Sequence, residues 1–174
     1  MKTLLMPLAA LAISASAVLA NGKMNDLQIA HTAYTAGQLD IRYAHLALAV
    51  SENEAVQKFA QTMLRDHGAV NSQAGALIAK LKVTPQDNDL SRALVKGAAE
   101  KRSELMGLSG KAFDCAYAKN ELGYHQVVNK TVEQQFIPAV TVKPLKALLE
   151  DALATFKAHE KHAEHMVKGL SCGT

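Results

Sequence analysis

Two long segments of this chain repeat apolar residues at strict heptad spacing, and that pattern leaves little room for anything but packed helices. One runs Val56, Ala60, Met63, His67, Val70, Ala74, Leu77 and Leu81. The other runs Leu145, Leu149, Ala152, Phe156, His159, Ala163, Met166 and Leu170. Aromatic residues make up only 5% of the chain, and β-branched residues are sparse beside abundant alanine, so strands are disfavoured. A length of 174 residues argues for a single domain.

The remaining helices follow from stripes and punctuation. Residues 26–50 read as a helix, with Ala30, Ala33, Gly37, Asp40, Ala44 and Ala47 on a narrow stripe. Tyr34, Ile41, His45 and Leu48 are expected to run beside it, with His45 half-buried and the tyrosines packed in the core. Ser51 is the expected cap of the second helix, with Glu52 and Glu54 favourable in its first turn. Thr84 to Asn88 stops that helix. A weaker helix spans about 89–106, and Gly107 to Gly110 breaks it. A helix over 111–137 then carries Phe113, Tyr117, Glu121, Tyr124, His125, Val128 and Val132 inward, and Pro138 ends it. The last helix spans about 142–169.

Tight turns near 51 and 139 make two antiparallel hairpins, and the 83–110 segment is long enough to return the chain along the bundle. The prediction is all-α: a ferritin-like four-helix bundle whose long crossover carries an extra short helix. A plain up-and-down bundle would need only a short loop there.

Residues 1–20 read as a cleavable leader rather than fold. Lys2 is the positive end, Leu4 to Ile13 the apolar stretch, and Val18-Leu19-Ala20 the small-residue cleavage site. Residues 21–174 are then the single helical domain, exported most simply to a bacterial periplasm, with outer-membrane association compatible. No cysteine near the cut could take a lipid, and no stable membrane insertion is expected after cleavage. A net charge of +3 gives no reason to expect nucleic acid as a partner. A homo-oligomer is left open, and no small-molecule substrate is identifiable.

Polar residues on the seams call for an account. With the turns at opposite ends of the bundle, Asp40, His67, Glu121, His125 and His159 fall within a band of about 12 Å along its axis. Glu121 and His125 share a face at i, i+4, and His159 and His162 stand at i, i+3. Imidazoles and carboxylates converging from four helices suit a divalent transition metal: zinc, iron, copper(II) or manganese. Asp66 neighbours His67 and is expected at the surface or as a partner to a ligand. Two other readings compete. The polar residues could hydrogen-bond one another and only set helix register. A di-metal oxidoreductase is the third reading, although two Glu-x-x-His motifs are lacking. No Ser-His-Asp or Cys-His arrangement, phosphate loop or dinucleotide motif appears, so no catalytic residue is named.

The stretches Gln57 to His67, Gly110 to Asp114, Glu121 to His125 and Phe156 to His162 resemble the DUF4142 family of exported bacterial ferritin-like proteins. The resemblance covers about 26–168 and implies a ferritin-like fold and an exported location, without implying a reaction. Asp66, His67, Glu121, His125, His159 and His162 occupy family-motif positions. Asp40 departs from the pattern, standing where the family usually has Glu, and its shorter arm reaches less far.

The predicted topology puts Cys115 and Cys172 at the same end of the bundle, so a disulfide between them is expected over a buried thiol and a frayed one. Together these observations predict an exported helical bundle that binds a transition metal, acting in metal handling or envelope stress rather than as an enzyme.

Overall fold

Helix α1 (Asp26–Val50) starts at Asn25, whose side chain accepts from the Gln28 N–H while the Gln28 side chain accepts from the Asn25 N–H. This reciprocal box satisfies two otherwise orphaned donors. The computed structural model describes residues 23–173, so the leader expected over residues 1–20 lies outside the described residues. Helix α2 (Glu54–Leu81) is capped by Asn53, which accepts from Ala55 and Val56. Ser51, the expected cap, instead ends α1 and donates its hydroxyl to Asp114 Oδ1 at 2.5 Å. The two-residue shift lets Ser51 tie this turn to a neighbouring helix.

Helix α3 (Asp89–Met106) is capped by Asn88, whose amide also donates to the Thr32 hydroxyl at 2.9 Å. Helix α4 (Gly110–Thr131) opens on Gly110, whose φ of +53° disfavours any residue with a Cβ. Beyond Thr131 the ladder widens into a π-helical turn, Val132–Phe136, followed by the single turn α5 (Ile137–Ala139). The expected helix over 111–137 is thus helical along its length, but its last part is a π-helical turn and Pro138 sits inside the final turn instead of ending the helix. Proline has no N–H, and its ring would clash with the Gln134 carbonyl in a regular turn. The widened turn re-routes the bond, with the Ile137 N–H donating to the Val132 carbonyl. Helix α6 (Lys143–Gly169) closes the chain, with Pro144 in its first turn.

Helices α1, α2, α6 and α4 pack in a ring, each against the next, while α3 lies outside on α1. Asp26 accepts from the Thr141 and Val142 N–H groups at 3.0 and 2.9 Å, so the α5–α6 turn sits at the start of α1. Ser51 reaches Asp114, so the α1–α2 turn sits at the start of α4. The two tight turns are thus at opposite ends, and α3 carries the crossover that two antiparallel hairpins require. Cys115 and Cys172 form a disulfide at the Ser51 end. Among the described residues no helix is long and apolar enough to cross a membrane.

Two apolar clusters fill the bundle. One gathers Tyr43, Val56, Phe59, Met63, Phe113, Tyr117 and Met166 near the α1–α2 turn. The other gathers Ile29, Val132, Phe136, Leu145, Leu149 and Leu153 near the α5–α6 turn. On α1 the predicted stripe is buried at Gly37, Asp40, Ala44 and Ala47, and the difference lies in which flank beside it is covered. Leu39 and Tyr43 are buried, and Tyr34 and His45 are exposed, because α3 covers that flank.

Candidate metal centre

A polar layer separates the two apolar clusters. Asp40 comes from α1, His67 from α2, Glu121 and His125 from α4, and His159 from α6, and none is more than 3% exposed. Heptad and i, i+4 spacing keep each on the inward face of its helix, so the packing that builds the core also brings these groups together. His67 Nε2 lies 3.4 Å and His125 Nε2 3.5 Å from Asp40 Oδ2. The rings of His67, His125 and His159 lie 5.4 to 5.7 Å apart, and His67 stacks on Phe156 at 4.5 Å.

Two of the imidazoles are oriented from behind. His125 Nδ1 meets the backbone carbonyl of Glu121 at 2.9 Å, and a carbonyl only accepts, so the proton is on Nδ1 and the Nε2 lone pair is free. His159 Nε2 donates to Asp66 Oδ2 at 2.9 Å, which leaves the Nδ1 lone pair free. Asp66 is itself gripped by the Arg65 guanidinium at 2.6 and 3.1 Å. That hydrogen bond and the one from His159 outweigh partial burial and hold the Asp66 carboxyl below its usual range. Imidazole backed by a carboxylate or carbonyl is the usual arrangement behind a metal ligand.

Toward the centre of the layer the polar atoms are unsatisfied. Both oxygens of Asp40, both ring nitrogens of His67, Glu121 Oε2, His125 Nε2 and His159 Nδ1 are buried with no hydrogen-bond partner among the described residues. Seven such atoms in one layer are a large departure from the near-complete pairing of native interiors. Burial raises the Asp40 carboxyl to about 8, and burial together with the Asp40 charge raises Glu121 well above the usual range. Burial lowers His125 to about 4, takes His67 well below the ordinary imidazole value and lowers His159 against the pull of Asp66. Asp40 and its two imidazole neighbours are therefore neutral groups in contact at neutral pH, although their spacing is that of an ion pair.

Two groups of donor atoms lie close enough to share an ion. His67, His125 and His159 form one and Asp40, Glu121 and His125 the other, with the atoms of each group within 4.8 Å of one another. His162 belongs to neither: it is exposed on the next turn of α6, its ring edge-on to Phe59 at 5.0 Å. An i, i+3 step turns a side chain about 60° around the helix, enough here to carry it from core to surface. His31 and His165 also lie away from the layer, His31 beside Asp87 at 3.6 Å and His165 exposed. Two buried amides were missed by sequence reasoning. Asn71 and Asn129 stand one turn beyond His67 and His125, each with an unpartnered atom. Their i, i+4 offset from the two histidines was the signal available.

A family model described as a domain of unknown function, DUF4142, matches residues 11–166. No curated protein matches the chain, and no solved structure does.

Proposed function

Since the chain belongs to the DUF4142 family, whose description names no activity, we propose from the site itself that the bundle binds one divalent transition-metal ion in its core. His67, His125 and His159 would hold it, with Asp40 and Glu121 supplying nearby carboxylates. The observation that carries this reading is the set of seven buried, unpartnered donor atoms on four helices. A layer serving only to set register would pair those atoms with one another. The donor set is imidazole and carboxylate without thiolate, which fits zinc, iron, copper(II) or manganese.

The two donor groups share His125, and only its Nε2 is free. A terminal imidazole with one lone pair serves one ion at a time. That favours a single ion over a di-metal centre and metal handling over di-metal oxidation chemistry. The leader read in residues 1–20 and the Cys115–Cys172 disulfide support an exported setting, where metal handling or envelope stress is the role proposed. The test is elemental analysis of protein purified under native conditions and again after reloading. About one equivalent of metal is expected, and less than about a tenth of an equivalent of any transition metal after reloading would defeat the proposal.

A further inference from the structure

Three histidines follow one another along α6 at i, i+3 and i+6: His159, His162 and His165. Each step rises about 4.5 Å and turns about 60° around the helix, so the three imidazoles spiral from the core to the surface. His159 is 3% exposed, whereas His162 and His165 are both exposed. Residues three apart on one helix are neighbours, so the last two imidazoles can address one ion from the solvent side.

What lies beneath this pair gives it direction. The His162 ring meets the edge of Phe59 at 5.0 Å, and the Phe59 ring is 6.4 Å from that of His125. Phe59 is fully buried and touches both the surface imidazole and the central one. Asp66, the carboxylate bonded to His159, is 20% exposed on α2, which packs directly against α6. Phe59 therefore lies between the surface imidazole of His162 and the central imidazole of His125, beside the contact of α2 with α6.

We propose that His162 and His165 form a second, surface metal-binding pair for divalent transition-metal ions, and that this pair captures the ion on the face of α6 that Phe59 separates from the core. The capture role rests on the core site proposed above, whereas binding by the pair stands independently. An exposed pair with two protein ligands keeps most of its coordinated water, so it binds weakly and exchanges fast. Those are the properties of a loading point rather than a store.

The test uses the full disulfide-bonded protein and zinc(II) alone, with a chromophoric chelator following uptake. Wild type and His162→Gln/His165→Gln are compared by equilibrium titration and by rate of loading. Wild type is expected to take up one tight and one weaker equivalent. The double variant should keep the tight equivalent, lose the weaker one and load at least about fivefold more slowly, as expected when local capture no longer concentrates the ion. Retention of the weaker equivalent, or an unchanged loading rate alongside a filled core, overturns the proposal. If wild type shows no tight equivalent the core reading fails instead, and loss of the weaker equivalent in the double variant still decides the surface pair.

Discussion

His159 Nε2 donates to Asp66 Oδ2 at 2.9 Å across the α2–α6 interface, while its Nδ1 is buried without a partner. One helix thus sets the tautomer of a side chain carried by another. Because Asp66 is also gripped by Arg65, its carboxylate cannot turn away without breaking two further hydrogen bonds.

Asp66→Ala should therefore weaken metal binding without removing a ligand. A drop of about tenfold or more in affinity is expected, the usual effect of losing a group that orients a ligand. Asp66→Asn, whose amide oxygen still accepts from His159, should recover most of it. Competition with a chelator of known affinity measures both, and equal losses in the two variants would show that the hydrogen bond is irrelevant.

His67→Leu should have opposite effects on the metal-free and metal-loaded protein. His67 is buried with neither ring nitrogen paired, so leucine at this position should stabilise the metal-free bundle by about 1–2 kcal/mol. The same change should abolish stabilisation by added zinc, which for the wild type is about 2.7 kcal/mol at a hundredfold excess over the dissociation constant. Urea melts with and without zinc read both effects, and a destabilised metal-free variant would contradict the unpaired state of this imidazole.

The pH dependence has a definite sign. Asp40 rises from 3.8 to about 8 on folding, so its contribution to metal-free stability is complete below 3.8 and is lost as pH climbs through 8. His125 falls from 6.5 to about 4, so its contribution is present above 6.5 and is lost as pH falls through 4. The two slopes oppose each other between 4 and 6.5 and only the carboxyl slope remains above. Metal-free stability should thus fall from pH 6.5 to 8, at up to about 1.4 kcal/mol per unit for one proton. Metal affinity should rise over the same interval, because the ion must displace that proton. Melts and titrations across this window check both trends, and a flat response in each would remove Asp40 from the site.

Gly37→Ala tests the closeness of α1 and α2. A Cβ at this position would lie 2.7 Å from Asn71 Oδ1, itself buried one turn from His67. The substitution should cost about 1–3 kcal/mol through overpacking. In an Asn71→Ala background its cost should shrink by about 1 kcal/mol or more, a coupling that a double-mutant cycle measures.

Removing the Cys115–Cys172 bridge should destabilise the bundle without unfolding it. The bridge spans 57 residues, and a loop of that size is worth about 4 kcal/mol in the chain-entropy account. Thermal melts of the Cys115→Ser/Cys172→Ser variant measure this, and an unchanged midpoint would contradict it.

The elements of the bundle were legible because their signals are local. Heptad spacing marked α2 and α6, the Thr84 to Asn88 and Gly107 to Gly110 breaks bounded α3, and the length of that segment implied the crossover. The inward positions of Asp40, His67, Glu121, His125 and His159 follow from the same periodicity. Periodicity resolves a face only to within about one residue step of 100°, so His162 was grouped with His159 although it lies at the surface. Nor does it say what will cover a flank, so of the tyrosines expected in the core Tyr43 is buried while Tyr34 is exposed.

Sequence alone determined that four helices would carry acids and histidines to one level of a bundle, because spacing and turn position fix height and face along a helix. The tertiary structure decided which of those groups meet. Packing of α1 against α2 and α4 brought Asp40 to His67 and His125, the π-helical turn absorbed Pro138, and the α2–α6 contact joined Asp66 to His159. Whether a polar side chain finds a partner depends on ångström-scale distances between helices, which no pattern along one chain encodes. Those distances left seven donor atoms unpaired at the centre, where a metal ion would satisfy them.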